Sequence, residues 1–557
     1  MLQPRRWDRE SWAVAGLAAC TSLLAFLYYF HHKQILLYGD AEGHINIARR
    51  VFDSRTPGVL QLGTVWLPLP HILMIPFLIW NWAWRTAVGG SIPSMIAYVA
   101  SVIGIFRLMR SCLPAQEYES ESNASMFAKS MFAKSTFAKR ITPWFAVLVF
   151  AGNPSLIYLQ TTAMTEPLYL ALFVWVAVHL VEFAQAVRAG EVPIARGSLR
   201  RCALCLAGCA MTRYDGWFAV SAATIVVLLI AVRNRNNAES RMLLKPISTF
   251  VLICAAGPVL WVAYNASVYK NPLEFANGPY SAKAIERRIV QPPHPGTGDL
   301  VVAELYFMRA AEMNLSPSVF AAKLWFLLAA AGTLLVVAQR RKCWPLLILW
   351  IPLPFYALSV AYSGVPIFVP AWWPFGQYNL RYGLQALPGV AVFSALAVNW
   401  ILAQIPGTGG RTAFAAIAIG LWSWGTLAAA REPASLLEAT HNMQSRVQLQ
   451  ERLAVELSRL PRESSILMAL RDYPGAPQRA GFELKRVINE NDQRLWIRPV
   501  DPEGLWSRAL RNPAAFVDYA VGFAGDPVDA SAQQNHLATM LSIDVEGQPR
   551  ATIYRAR

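Results

Sequence analysis

Apolar runs of about 20 residues recur along most of this chain, and they limit its fold more than any other feature. A helix needs about 20 apolar residues to cross the hydrocarbon core of a bilayer. Runs near that length cover residues 11–30, 91–109, 142–160, 167–185, 246–265, 319–338, 343–362, 384–403 and 412–430. Because 55% of the 557 residues are hydrophobic and only 15% are charged, the sequence predicts a polytopic α-helical membrane protein with about nine full spans.

The net charge of +16 is carried mostly by lysines and arginines between these runs. Such residues concentrate in the cytoplasmic loops of membrane proteins, so the charge does not indicate a nucleic-acid partner. The basic clusters lie at residues 5–9, 107–140, 188–201, 233–245 and 340–342. If each cluster is cytoplasmic, five segments share the outer side of the membrane. These are residues 31–90, the turn at Glu166, residues 266–318, residues 363–383 and the tail from Arg431.

Two irregular apolar segments do not fit simple crossings. Residues 65–84 contain three prolines, and proline removes a helix hydrogen bond, so we predict a juxtamembrane or re-entrant segment there. Residues 202–232 have basic clusters at both ends, so they must enter the membrane and return. We expect a broken-helix hairpin, in which two half-length helices meet near Arg213 and line protein or a water-filled cavity.

The tail alternates between helix-like and strand-like runs. This alternation predicts a small extracytoplasmic α/β domain over residues 431–557, after a transmembrane domain over residues 1–430. The sequence of the tail contains no metal-ligand cluster, phosphate-binding glycine loop or nucleophile motif. We therefore interpret it as a structural or substrate-guiding module.

Ionisable side chains near membrane depth are costly and by default mark functional sites. Several lie in the outer segments. They are Asp40, Glu42 and His44 in YGDAEGHINIARR, Glu166 in TTAMTEPLYLAL, Arg213 in MTRYDGWF, and Arg381 with Tyr382 in QYNLRYGLQALPG. Carboxylates beside arginines suit a reaction in which a base deprotonates a hydroxyl while cations hold a phosphate. A lipid-linked phosphosugar fits such a site.

Each of these residues also has a structural interpretation. Asp40 can be the N-cap of an interfacial helix, and Glu166 can be a solvated carboxylate in a turn. Arg213 can pair with Asp215, and Arg381 can extend its charge toward the membrane interface. Taken one at a time, the residues leave these alternatives open.

Together, the motifs resemble the GT-C membrane glycosyltransferases, in particular bacterial proteins similar to protein O-mannosyltransferases and aminoarabinose transferases. The resemblance covers residues 10–430 in layout, and the stretches YGDAEGH, TAMTEP, TRYDGW and YNLRYGLQALP in motif. It implies that Asp40 acts as a general base or helps to hold a divalent metal. It also implies that Glu166 lies near the donor, and that Arg381 and Tyr382 lie near a lipid phosphate.

The chain departs from the family at Glu42, because Ala41 separates it from Asp40 where the mannosyltransferases have adjacent acids. We nevertheless expect Glu42 to be catalytic with Asp40 and Glu166. A divalent metal is left open, with Glu42 and His44 as its ligands or as supports of the ligands.

The function that we expect from this resemblance is that of an inverting glycosyltransferase in a bacterial inner membrane, with its site and tail extracytoplasmic. Its partners are a polyprenyl-phosphate-linked sugar, bound with the help of Arg381, Arg213 and Tyr382, a hydroxyl acceptor on a glycan, lipid or protein, and membrane lipid. Two alternatives remain: a transporter or flippase for a lipid-linked sugar, and a non-catalytic membrane scaffold.

Overall fold

The computed structural model describes residues 8–113, 126–234, 242–289, 293–338, 341–461, 463–492 and 503–557. Some of the basic residues that orient the predicted topology lie outside these ranges. They are Arg5, Arg6, Arg235, Arg241 and Arg340.

The first three quarters of the chain are helical. The helices are α1 (Arg9–His31), α2 (Gly39–Arg50), α3 (Leu69–Leu78), α4 (Asn81–Arg85), α5 (Val88–Cys112), α6 (Met126–Ala151), α7 (Pro154–Leu159), α8 (Glu166–Arg188), α9 (Val192–Ala210), α10 (Asp215–Arg233), α11 (Leu244–Tyr269), α12 (Glu274–Asn277), α13 (Ala282–Ile289), α14 (Leu300–Leu315), α15 (Val319–Ala338), α16 (Pro352–Tyr362), α17 (Leu387–Gln404) and α18 (Thr408–Arg431). Short 3₁₀ helices cover Val59–Leu62, Arg341–Trp350 and Leu380–Ala386.

Nine helical segments among the described residues are long and apolar enough to cross a membrane. Eight coincide with predicted runs, and the ninth is α10. The run at 142–160 is divided instead between the end of α6 and the short α7. The helix stops there because Asn153 caps α7, its side chain accepting a hydrogen bond from the N–H of Leu156, and Pro154 begins the new helix. The chain is a polytopic α-helical membrane protein.

The predicted hairpin is formed by α9 and α10, which meet at residues 211–214. Each helix has 19 residues, so they are longer than the half-length helices that we expected. The difference arises because α9 begins inside the basic segment, where Arg196 and Arg200 are exposed. The proline-rich segment forms α3 and α4, and the 10 residues of α3 are too few to cross a bilayer.

The part after α18 begins with the helix α19 and continues as a small sheet. Its elements are α19 (Ala434–Leu457), β1 (Ile466–Met468), α20 (Gly475–Ala480), β2 (Val487–Ile488), α21 (Leu505–Arg511), β3 (Tyr519–Phe523), α22 (Pro527–Gln534), β4 (Ala538–Ile543) and β5 (Ala551–Arg555). The strand order is β2-β1-β3-β5-β4. Strand β1 is parallel to β2 and β3, whereas β5 is antiparallel to β3 and β4. This is the small α/β domain that the sequence predicts.

Alternate residues of the strands face two different layers, as the pleat of a strand requires. Ile466 and Met468 of β1 belong to the same core as Leu453 of α19 and the membrane helices. Leu467, between them, packs on the other face with Trp506 of α21. One core therefore runs from the membrane helices through α19 into the sheet. The division at residues 430 and 431 stays a prediction, since packing is continuous across it.

Candidate functional site

Asp40 lies near the start of α2, but it does not cap that helix. The N-cap position is Tyr38, with no side-chain capping bond, and Asp40 is the second helical residue. Its carboxylate instead accepts a hydrogen bond from Nη2 of Arg381 at 2.6 Å. The N-cap interpretation is therefore wrong, and the acid pairs with a cation 341 positions away in the chain.

Arg381 binds three carboxylates with three different nitrogen atoms. Nε donates to Glu166 at 3.2 Å, Nη1 to Glu438 at 2.5 Å, and Nη2 to Asp40. The side chains of Glu166 and Glu438 are about 1% exposed, whereas that of Asp40 is 40% exposed. Arg381 is itself buried, so it is held among the helices and does not extend to the membrane interface.

Glu438 also fixes the turn that carries Arg381. Asn379 adopts a left-handed conformation with φ of 57° and begins the 3₁₀ helix Leu380–Ala386. The carboxylate of Glu438, on α19, accepts the backbone N–H of Asn379 at 3.0 Å and that of Arg381 at 3.1 Å. An anion at the free N–H groups of a helix start is favourable. Glu438 therefore holds both the backbone and the side chain of Arg381.

A second arginine, in the turn between α9 and α10, joins the cluster. Nη1 of Arg213 donates to Glu166 and to the hydroxyl of Thr165, both at 3.0 Å. Its Nη2 donates to the hydroxyl of Tyr356 at 3.0 Å, and its Nε to Asp215 at 3.3 Å. The pairing with Asp215 exists, but it is one of four contacts.

The aromatic ring of Tyr382 lies between the two arginines. The guanidinium carbon of Arg213 is 4.8 Å from the ring centroid, and that of Arg381 is 5.0 Å from it. Both distances suit cation–π attraction, which reduces the repulsion between the two cations. Glu166, Arg213, Arg381 and Tyr382 are thus brought together with Asp40 in one cluster.

Glu42 lies elsewhere, against the part of the chain after α18. Its buried carboxylate accepts hydrogen bonds from Nη1 of Arg479 and, at 3.0 Å, from Nε2 of Gln450. Arg446 is 3.8 Å away. Glu42 is therefore an ion-pair partner between α2 and helices α19 and α20, and none of its recorded partners belongs to the cluster around Arg381.

His44 forms a buried pair with His71 of α3. Nδ1 of His44 lies 2.8 Å from Nε2 of His71, and the ring of Trp66 is 4.5 Å away from that of His44, between centroids. Burial lowers the pKa of His44 to about 3, and the positive charges of Arg381 and Arg213 contribute to the shift. Burial also lowers the pKa of His71 well below its ordinary value. Both rings are neutral at physiological pH.

The predicted Asp-x-Glu-x-His array does not fit a metal ion. Its three side chains turn to three separate partners, namely Arg381, Arg479 and His71. Among the residues that the structure describes, no three His, Cys, Asp or Glu side chains form a group that could hold a metal. We therefore assign no metal to these residues.

Comparison with known proteins gives matches to solved structures alone: no protein-family model matches the chain, and no curated protein sequence matches it significantly. ArnT from Cupriavidus metallidurans bound to undecaprenyl phosphate is similar, with a TM-score of 0.56 at 12% identity, over 99% of this chain and 99% of that one. ArnT from the same organism in the apo state gives 0.53 at 13% identity, over 98% of each chain. The chain has the GT-C fold of ArnT.

Within this GT-C fold, the sequence failed to mark three members of the cluster. Glu438 lies in SLLEAT, just after the last apolar run, and a single acid among apolar residues was the available signal. Thr165 and Tyr356 look like ordinary residues of helical segments. They enter the site because the fold brings Arg213 to them.

Chemically, the cluster of this GT-C fold combines the buried Arg381 and the largely buried Arg213 with one carboxylate that reaches solvent. The guanidiniums of Arg213 and Arg381 can stabilise a developing negative charge in a site shielded from water. Asp40 is the accessible acid that can accept a proton.

Proposed function

We propose that this protein is a membrane glycosyltransferase that moves a sugar from a polyprenyl-phosphate carrier to an acceptor hydroxyl, with inversion, on the extracytoplasmic face of a bacterial inner membrane. The observation that carries the proposal is the contact between Asp40 and Arg381. It places a solvent-accessible carboxylate 2.6 Å from a buried guanidinium, so a base for the acceptor and a cation for the leaving phosphate lie side by side.

The reaction that follows is a single displacement. Asp40 takes the proton of the acceptor hydroxyl, and the oxygen of that hydroxyl attacks the anomeric carbon of the sugar. The bond from this carbon to the phosphate oxygen breaks, and the polyprenyl phosphate leaves with the electron pair. Arg381, assisted by Arg213, stabilises the charge on the phosphate. Attack opposite to the leaving group inverts the anomeric centre.

Support for the donor class comes from the fold and from the charges of the cluster. ArnT, which shares the fold, was crystallised with undecaprenyl phosphate. Two arginines that converge on one tyrosine provide donors for phosphate oxygens. Nine helical segments among the described residues are long and apolar enough to cross a membrane, so a carrier with a long apolar chain is expected to reach the site from the bilayer.

The proposal is tested by Asp40→Asn in the full chain, reconstituted in liposomes with undecaprenyl-phosphate-linked sugars and hydroxyl acceptors. Transfer is expected to fall by about a thousandfold, because general base catalysis contributes roughly that factor. Asp53→Asn is the matched control. Asp53 is an acid three residues after the end of α2, and it is buried and pairs with Arg49 and the N–H of Lys485 instead of Arg381. If the folded Asp40→Asn protein transfers sugar at the wild-type rate, Asp40 is not the general base.

A transporter or flippase is the second candidate, and the hairpin of α9 and α10 favours it. Interrupted helices with charges at their junction also occur at the substrate sites of transporters. The same liposomes distinguish the two functions, because a flippase moves the labelled lipid to the other leaflet without forming a new glycosidic bond. A scaffold predicts neither movement nor transfer, and no effect of Asp40→Asn.

A further inference from the structure

The three carboxylates around Arg381 differ in how firmly they are held. Glu438 also accepts two backbone N–H groups, and Glu166 also accepts a hydrogen bond from Arg213. Both side chains are about 1% exposed. Moving either carboxylate away from Arg381 separates opposite charges in the interior, where water does not replace the lost contact, and this is strongly unfavourable. The Nε and Nη1 positions of Arg381 are therefore fixed.

Asp40 holds the third position much less firmly. Within the described residues, Arg381 is the one hydrogen-bond donor to its carboxylate. The side chain is 40% exposed, so water can solvate the carboxylate when it leaves the arginine. Hydration of the released carboxylate offsets part of the lost contact, so this pairing costs less to break than the two buried ones. The contact between Nη2 of Arg381 and Asp40 is therefore the one that another anion can replace.

The charges of the cluster show why an exchange is needed. Four carboxylates, those of Asp40, Glu166, Asp215 and Glu438, surround the guanidiniums of Arg213 and Arg381. A phosphate that approaches this cluster adds further negative charge at short range. Electrostatic repulsion between like charges is strong in a poorly solvated site. The phosphate therefore binds Arg381 with the least unfavourable free energy when the carboxylate of Asp40 moves away.

We propose that the phosphate of the lipid-linked donor displaces Asp40 from Nη2 of Arg381 and thereby frees the carboxylate to act as the base. This inference rests on the proposed function, because it takes a polyprenyl phosphate as the ligand. The ion pair then masks the base until the donor is bound. Donor binding precedes activation of the acceptor, and Asp40 is a competitor of the phosphate as well as its catalytic partner.

The affinity for undecaprenyl phosphate tests the exchange. The full chain in lipid nanodiscs is titrated with undecaprenyl phosphate as wild type, as Asp40→Asn and as the control Asp53→Asn. Asp40→Asn is expected to bind about tenfold more tightly, since it removes a charged hydrogen-bond competitor, while Asp53→Asn binds like the wild type. If Asp40 is a base that does not compete with the phosphate for Arg381, Asp40→Asn is expected to bind undecaprenyl phosphate no more tightly than the wild type. Equal or weaker binding by Asp40→Asn overturns the inference.

A second measurement separates exchange from simple repulsion and does not depend on a variant. In a structure of the wild-type protein with undecaprenyl phosphate, a phosphate oxygen is expected on Nη2 of Arg381, with the carboxylate of Asp40 beyond hydrogen-bond distance. Retention of the contact between Asp40 and Arg381 beside a bound phosphate overturns the exchange and leaves the proposed function standing. Absence of any undecaprenyl phosphate binding by the wild type would instead remove the proposed function, and the inference with it.

Discussion

At the scale of residues, the spacing on α2 explains why three polar neighbours have different partners. Successive residues of an α-helix are rotated by about 100°. Glu42 therefore points about 200° away from Asp40, toward Arg479, while His44 returns to within about 40° of it. The sequence placed Asp40, Glu42 and His44 in one array, whereas their partners are Arg381, Arg479 and His71. It contains no local signal for Arg479, which is 437 positions beyond Glu42.

The neutral histidine pair makes the stability of the fold depend on pH. In the folded chain the pKa of His44 is about 3, below its ordinary value of 6.5. As the pH falls below 6.5, the unfolded chain binds a proton that the folded chain does not, so stability is lost toward acid. Between pH 6.5 and pH 5 the loss from His44 is roughly 2 kcal/mol.

His44→Gln is expected to reduce this loss by about the same amount. The measurement is the free energy of unfolding in detergent micelles at both pH values, for the wild type and the variant. An identical acid-induced loss in the two proteins would contradict a buried, neutral His44.

At the scale of elements, hydropathy located the helices better than it located their ends. The hairpin of α9 and α10 was predicted at the right place, but the start of α9 was not, because its first three turns contain exposed arginines that lower the hydropathy. The break between α6 and α7 was missed for the opposite reason. Gly152, Asn153 and Pro154 interrupt the helix inside a run that is apolar on average.

The contact of α2 with α19 and α20 depends on the pairing of Glu42 with Arg479. Glu42→Gln leaves the charge of Arg479, which is 13% exposed, without its closest carboxylate. We expect the free energy of unfolding to fall by about 3 kcal/mol. The control is Glu463→Gln, whose partner is Arg486 and whose side chain is 89% exposed, and it should cost less than about 1 kcal/mol. Lost transfer with unchanged stability would instead support the predicted catalytic role of Glu42.

At the scale of the whole molecule, the sequence predicted eight of the nine candidate spans in the described residues and the small sheet domain, and it grouped residues from distant segments. It did not predict that the site would include the part after α18. The hydroxyl of Tyr38 donates to the backbone carbonyl of Ser435 at 2.7 Å, and Arg381 binds Glu438. These contacts form only because α19 packs against the membrane helices. The sequence around Tyr38 or Arg381 contains no pattern that predicts where α19 packs.

A chain that ends at Arg431 is therefore expected to be less stable than the full chain, even though it keeps every predicted span. It loses Glu438, so the buried Arg381 is left with two carboxylates and two unpaired backbone N–H groups in its turn. Thermal melting of the two proteins in the same detergent measures the difference. Equal melting temperatures would mean that α19 is not needed to hold the turn.

The position of Glu438 in the chain also sets the order in which the protein matures. During synthesis Asp40 and Arg381 emerge first, and Glu438, which fixes the turn of Arg381, follows α18. A ribosome-bound chain that has inserted all of its spans still lacks the finished site. We therefore expect the cluster around Arg381 to be complete only after residues 434–457 have folded back against the membrane helices.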